Sequence, residues 1–378
     1  MKLHINSETK PDKMLILHRY FHPVGQGAFY SEVFNDDAGF QCAVVYDCGT
    51  ETAEKDFLAV GGKKLNDQIS DFATSFSSRK RFLDFLFISH LHADHVNGIS
   101  DLIRQLPPKK IVLPMLPQDM ILVSRIANLV RYGDSAIEAD ELIQSLYYAE
   151  RSDVIGVSPA EQDEEKIESK VLYPLTPSSI LDSGSALNVG VDSFWRYRPF
   201  NSIALKDPRV PVLLNEVRKI PGVLIDDALD LRNALDHLEE LKGAYKTAMR
   251  NANDNLYTLV VESEPLSEIA DKDKLYDSHC VYFGDFEPHD DTWNRFLAVI
   301  NDYDQVGTIQ VPHHGSKSNW RKDILSANAK LAIISSGSSN RYHHPNYWVT
   351  EEIRLRNVKL NVTSERPESA ISQCIRVR

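Results

Sequence analysis

The sequence predicts an α/β protein, a four-layer αββα sandwich with a largely helical insertion. Three observations carry that expectation. Apolar, strand-like runs alternate with amphipathic, helix-like segments towards both ends of the chain, and such alternation is buried most simply as sheets covered by helices. The span from about 151 to 253 breaks this rhythm and turns helical. Finally, the apolar run Leu83-Asp-Phe-Leu-Phe-Ile88 leads into His90-Leu-His92-Ala-Asp94-His95, so a buried strand delivers its backbone into a turn crowded with ligand-type side chains.

The elements follow in order. Leu15 to Phe34 reads as two strands joined through the Gly25-Gln-Gly27 turn, and Gln41 to Asp47 as the next strand. Asn66 to Phe76 is a helix with Asn66 as its N-cap. After the strand at 83–88 come a helix from Gly98 to Leu106, a short strand from Ile111 to Met115, and helices over Gln118–Tyr132 and Ala136–Ala149. Residues 14–150 thus form a first half. The insertion, 151–253, opens on the acidic run Glu161-Gln-Asp-Glu-Glu165. It passes through Tyr173-Pro-Leu-Thr-Pro177 and Asp192-Ser-Phe-Trp-Arg-Tyr-Arg-Pro199. It ends in a helix over Val223–Met249 whose apolar stripe is Leu224, Ala228, Leu231, Leu235, Leu238 and Tyr245. Packing of that stripe on the domain is the simplest use for it, and docking of a protein partner through 151–253 is the alternative. Strands resume at Leu256–Val261 and His279–Phe283 and alternate with helices through a second half, 254–378.

Composition narrows the class. A chain of 378 residues, 42% of them hydrophobic, can bury a substantial core. No run approaches the roughly 20 apolar residues of a membrane helix. Met1 to Lys13 is polar and lacks the apolar centre of a signal peptide. The expectation is a cytoplasmic protein with no membrane association. Cys42, Cys48, Cys280 and Cys374 form no C-x-x-C pair, and three of them fall in strands, as buried reduced thiols do. The net charge of −12 argues against tight non-specific binding of nucleic acid, which needs an excess of Lys and Arg. A local basic groove around Arg196, Arg198, Lys317 and Arg341 would still admit a phosphodiester.

The turn at 90–95 holds the chemistry. His90 and His92 are two apart and can point the same way, while Asp94 and His95 curl round to face a second point nearby. Imidazole and carboxylate are the usual ligands of zinc and similar divalent metals. A single histidine there would suit a helix cap, but four ligand-type side chains in six residues suit two metals with a water between them. Zinc is the first expectation, with manganese or iron as alternatives.

Further segments are Val24-Gly-Gln-Gly27, Asp47-Cys-Gly49, Gly284-Asp285, Val311-Pro-His-His-Gly-Ser316 and Asn340-Arg-Tyr-His-His-Pro345. With H-x-H-x-D-H, in this order, they make the chain resemble the metallo-β-lactamase-fold hydrolases, and within them the ComEC-type branch named for the soluble hydrolase domain of a competence protein. The resemblance covers both ends of the chain and not the middle, and the αββα sandwich is its fold. It implies that His90 and His92 bind a first metal, that Asp94 and His95 bind a second, and that Asp285 bridges the two. It also implies that one of His313 and His314 completes the second site. Neighbours on a strand point in opposite directions, so a break at Gly315 would be needed to bring both inward; His314 is the favoured ligand and His313 the substrate contact or acid. One departure stands out. Many such enzymes place a third histidine on the first metal, and the interval between the motifs offers only His237 and His279. Neither is well positioned for it, and Asn253-Asp-Asn-Leu-Tyr-Thr-Leu-Val260 only loosely matches the branch's segment there.

Two divalent cations about 3.5–4 Å apart would activate water for attack and neutralise phosphate oxygens. Asp94 would orient the nucleophile. Arg341 and His344 are candidates for gripping phosphate or protonating the leaving oxygen, and Ser316, Lys317 and Glu287 for lining the substrate pocket. The expected activity is that of a phosphodiesterase or nuclease acting on DNA, RNA or a nucleotide. Hydrolysis of a small non-phosphate ester, amide or thioester is one alternative. A partner-dependent subunit of a larger assembly is another.

Overall fold

In the computed structural model, strand alternation sets the layers. Along β1 (Leu15–Phe21), Leu15, Leu17, Arg19 and Phe21 are buried while His18 between them is exposed. The structure describes residues 15–36, 39–76, 81–134, 136–137, 152–160, 177–189, 194–203, 207–225, 229–249, 256–266 and 278–377. β1 pairs with β2 (Phe29–Asp36), followed by β3 (Gly39–Cys48), β4 (Leu83–Phe87), β5 (Pro108–Pro114), β6 (Asp153–Ser158) and β7 (Ser179–Asp182). With the last strand, β15 (Ile371–Val377), they form a sheet ordered β15-β1-β2-β3-β4-β5-β6-β7. The second sheet takes β8 (Leu187–Val189), β9 (Trp195–Asn201), β10 (Leu259–Pro265), β11 (Cys280–Tyr282), β12 (Thr308–Gln310), β13 (Leu331–Ser335) and β14 (Lys359–Thr363), in the order β14-β13-β12-β11-β10-β9-β8. Pairing is parallel from β3 through β7 and from β11 through β14. Parallel strands need crossovers, and helices supply several of them.

The sheets pack face to face through Phe21, Tyr30, Tyr46, Phe87, Trp195, Tyr197, Val261 and Tyr282. On the far side of the first sheet lie α2 (Leu65–Thr74) and α4 (Ile99–Gln105), which bury Ile69, Phe72 and Leu102 against Phe29, Val45 and Leu86. On the far side of the second lie α9 (Asp290–Val299) and α10 (Tyr347–Leu355), with Phe296, Val349 and Ile353 against Phe283 and Ile334. This is the αββα sandwich the sequence predicts. A fourth core unites α5 (Gln118–Tyr132) with α6 (Arg209–Val217), α7 (Leu231–Leu235) and α8 (Leu238–Met249), burying Ile126, Leu213, Ala234 and Leu241. The helical addition therefore draws α5 from the first half of the chain, while residues 153–201 supply strands to both sheets.

Several expectations change. The helix over Val223–Met249 is two helices, because Asp230 caps α7 by accepting from the amides of Arg232 and Asn233, and the chain turns again at Asp236–His237. Leu224 is 76% exposed, and the buried stripe runs instead through Leu231, Ala234, Leu241, Ala244 and Ala248. Asn66 lies inside α2 rather than capping it, since Lys64 occupies the cap position. Arg198 pairs with Glu262 at 2.6 Å and Glu264 at 2.8 Å, and Arg196 with Glu264 at 2.6 Å, so these two arginines are neutralised and form no basic groove. Cys42, Cys48 and Cys280 are buried free thiols and Cys374 is exposed. Most of the helix expected over Ala136–Ala149, the acidic run 161–165, residues 173–176, 192–193 and 253–255 lie outside the described residues. Among the described residues no helix is long and apolar enough to cross a membrane.

Candidate metal centre

Asp47, the 90–95 turn, Asp285 and the pair His313–His314 gather at the carboxyl ends of parallel strands, where open α/β sheets place their sites; a separate buried group, Glu262, Glu264 and His279, lies away from them. Asp47 lies at the end of β3. His90 and His92 follow β4, and the short α3 (Ala93–Val96) carries Asp94 and His95. From the second sheet, Asp285 follows β11, and His313 and His314 follow β12. Two glycines permit the close approach. Gly284 has φ 56°, and a Cβ there would lie 2.7 Å from Thr258 Oγ1 and from Tyr46 Oη. A Cβ on Gly27 would lie 2.4 Å from the Gly49 carbonyl oxygen, on a turn whose Ala28 amide donates to the Asp94 carbonyl at 3.1 Å.

The strand does break at the histidine pair. His313 and His314 both take left-handed backbone, φ 46° and 54°, so the opposite orientation of strand neighbours no longer applies and both rings face Asp285. Asp285 Oδ1 lies 3.2 Å from His95 Nε2 and 3.9 Å from His314 Nε2. Its Oδ2 lies 3.6 Å from His90 Nε2 and 3.6 Å from His313 Nε2. Asp94 Oδ2 is 3.2 Å from His314 Nε2 and 3.8 Å from His95 Nε2. Two groups result, His90–His92–Asp285 and Asp94–His95–His314, each with its donor atoms within 4.8 Å of one another.

The rings are aimed from behind. The Ser89 amide and hydroxyl both donate to Asp47, at 2.7 and 2.6 Å, so the Ser89 oxygen is left to accept from His90 Nδ1 at 2.9 Å. His95 Nδ1 donates to Asp47 Oδ2 at 2.7 Å, and His314 Nδ1 to the Ser335 carbonyl at 2.8 Å. His313 Nδ1 donates to Asn319 Oδ1 at 2.8 Å; the Asn319 amide is itself oriented by donating to the carbonyls of Asp285 and Phe286. With every one of these protons on Nδ1, the Nε2 lone pairs of four histidines converge on two carboxylates. Lone pairs facing carboxylate oxygens repel unless a proton or a cation lies between them. His90 Nε2, His95 Nε2 and His92 Nδ1 are buried without a hydrogen-bond partner among the described residues. Buried polar atoms of that kind need a partner, and outward Nδ1–H bonds to carboxylate or carbonyl are the usual support of a metal-binding imidazole. The donor set fits divalent metals.

Protonation tells the same story. Burial lowers the His95 pKa, but Asp285, Asp94 and Asp47 outweigh it and raise the group well above an ordinary imidazole. His314 is likewise raised against burial by its bond to Asp94 and by Asp285. Asp94 and Asp285 are pulled down despite burial by the imidazoles around them. A positive charge is what these carboxylates select. His90 and His92 are pushed down, chiefly by burial, His92 to about 3.

The remaining candidates surround this centre. His344 is half-buried, its ring centroid 5.7 Å from that of His313 and 6.4 Å from that of His314. Arg341 is exposed at the mouth, where its Nη2 bonds Glu51 at 2.9 Å and Tyr342 Oη at 2.7 Å. Ser316 is buried against Ser318 and Lys317 is exposed. Glu287 turns away to His289, 3.1 Å distant. His237 is half-buried at the α7–α8 turn, and His279 is bound to Glu262 at 2.7 Å; neither reaches the centre. Sequence reasoning did not assign roles to Asp47, Asn319, Glu51 or Tyr132, whose hydroxyl donates to Asp94 Oδ1 at 3.2 Å. Only Asp47 had a signal, a carboxylate before a glycine at a strand end.

Fold and site together define the class: an αββα sandwich with two adjoining His/Asp groups, able to hold metal, at the mouth between its sheets. No family model matches the chain. A stretch of 62 residues is 32% identical to ComE operon protein 3 of Bacillus subtilis (strain 168), covering 16% of this chain and 8% of that protein. Among solved structures the chain is similar to a long form RNase Z from yeast, with a TM-score of 0.34 and 11% identity over 93% of this chain and 36% of the other. The chain therefore spans only a small part of the length of the curated relative.

Proposed function

We propose that the protein is a metal-dependent hydrolase of the metallo-β-lactamase fold, related to the ComEC-type branch, and that it cleaves phosphodiesters. The observation that carries this reading is the convergence of four Nε2 lone pairs on the carboxylates of Asp94 and Asp285. His90, His92 and one oxygen of Asp285 would hold one cation; Asp94, His95, His314 and the other oxygen would hold a second. Such cations, zinc first and manganese or iron as alternatives, would supply Lewis acidity towards water and towards the oxygens of a phosphoryl group.

The chain's own residues do the rest. Asp47 and Ser89 lock the rings of His95 and His90, so the donor atoms need no reorganisation. Tyr132 holds Asp94 Oδ1 and leaves Oδ2 facing His314. His313, fixed by Asn319, and His344 line one wall; burial pushes both imidazoles towards the neutral form, His344 to about 3, so they are suited to contact substrate rather than to act as acids. Ser316 and Lys317 follow on the same loop. DNA, RNA and nucleotides all present the required linkage, and the net charge of −12 favours a compact substrate over a long polyanion.

Hydrolysis by purified protein with zinc or manganese, against single- and double-stranded DNA, RNA and a chromogenic phosphodiester, tests the reading. Cleavage is expected, and Asp94→Ala should abolish it while lowering bound metal. A wild-type protein that holds metal and cleaves none of these would sink it.

A further inference from the structure

Helix α5 meets the centre with its last turns. Asn128 Nδ2 donates to the Leu91 carbonyl at 2.6 Å, inside the histidine turn, and Tyr132 Oη donates to Asp94. Residues 128, 131 and 132 stand at i, i+3 and i+4 and share one face of the helix. Arg131 is thus carried on the face that two hydrogen bonds fasten to the turn at 90–95. Its guanidinium charge acts on His92 in the first group and on His313 across the site. Among the groups acting on it in turn is the carboxylate of Asp94. Arg341 is 65% exposed, on the outer rim of the site. An anionic ester entering a site lined by Asp94, Asp285 and Glu51 is favoured by a cationic fork, and arginine binds phosphate oxygens in that bidentate way.

We propose that Arg131 is a substrate-binding residue: its guanidinium holds the non-bridging oxygens of a phosphoryl group seated over the two ligand groups, and α5 thereby selects anionic esters over neutral ones. The inference rests on the hydrolase reading above.

The test compares wild type, Arg131→Gln and Arg131→Lys, all zinc-loaded, on bis(p-nitrophenyl) phosphate and on neutral p-nitrophenyl acetate. Binding of inorganic phosphate is titrated calorimetrically on the same proteins. Arg131→Gln should raise KM for the phosphodiester by about 10- to 100-fold, weaken phosphate binding by a similar factor, and leave zinc content and the neutral ester unchanged. Arg131→Lys should restore part of both. Unchanged KM and phosphate affinity, or a parallel loss on both esters together with zinc, overturns the assignment. If wild type cleaves neither ester, the hydrolase reading fails on its own, and the phosphate titration alone decides whether Arg131 binds the anion.

Discussion

His22 shows how an imidazole is buried when it serves the fold alone. Its ring stacks on Phe29 at 3.8 Å between centroids, and its Nε2 meets Ser31 Oγ at 2.9 Å. Every contact is apolar or neutral, so burial lowers its pKa from 6.5 to about 3. The sign of the consequence follows. Below pH 6.5 the unfolded chain takes up a proton that the folded protein refuses until about pH 3. Stability from neutral His22 is complete above the upper value and is lost progressively towards the lower one. Urea unfolding at stepped pH should show His22→Gln losing less stability over this window than wild type, by an amount on the order of a few kcal/mol. Equal slopes would mean that His22 is reached by water. His95 and His314 differ from His22 because carboxylates, not apolar rings, face their inward nitrogens.

Among the elements, the helical addition is held by its own core. Leu241 on α8 is fully buried, and Leu213 on α6 faces the same cluster with Ile126 of α5. Leu241→Ala should cost about 2–5 kcal/mol, the usual range for a buried leucine, measured by denaturant midpoint. Bound zinc should be retained, because the ligands stand on the sandwich and not on α8. Loss of zinc along with stability would show that α8 supports the centre through α5. The α7–α8 break has a local reason that periodicity does not register. Asp230 caps one helix start, and a stripe extrapolated through Leu224 has no core to meet.

Across the whole molecule a buried network around Glu32 helps to tie the two sheets together. Arg19 on β1 pairs with Glu32 on β2 at 2.6 Å and also donates to the Ser278 carbonyl at 2.7 Å. From the second sheet, Tyr197, Ser263 and Tyr282 all donate to the Glu32 carboxylate, at 2.5, 2.7 and 2.8 Å. Glu32→Ala strands the Arg19 guanidinium in the interior, which should cost about 3–5 kcal/mol. A single unfolding transition at lower denaturant is expected, since the network spans both sheets; two separated transitions would show that the sheets unfold independently.

Much of the protein was legible in its residues. Alternating strand and helix patterns fit sheets covered by helices and the resemblance supplied the αββα order, and α5 was bounded at Gln118 and Tyr132 as the structure has it. His90, His92, Asp94 and His95 fall within one turn, so their convergence is a local matter that spacing can express. The rest required tertiary structure. Which oxygen of Asp285 meets which imidazole depends on bringing together chain segments from two sheets, and both His313 and His314 reach it only through left-handed backbone that no residue type announces. Arg131 and Tyr132 read as ordinary helix residues until α5 is laid against the histidine turn. Periodicity records which side of an element is buried. The partner found there is decided by packing between segments distant in the chain, because hydrogen bonds and charges act over a few ångströms of space rather than along the sequence.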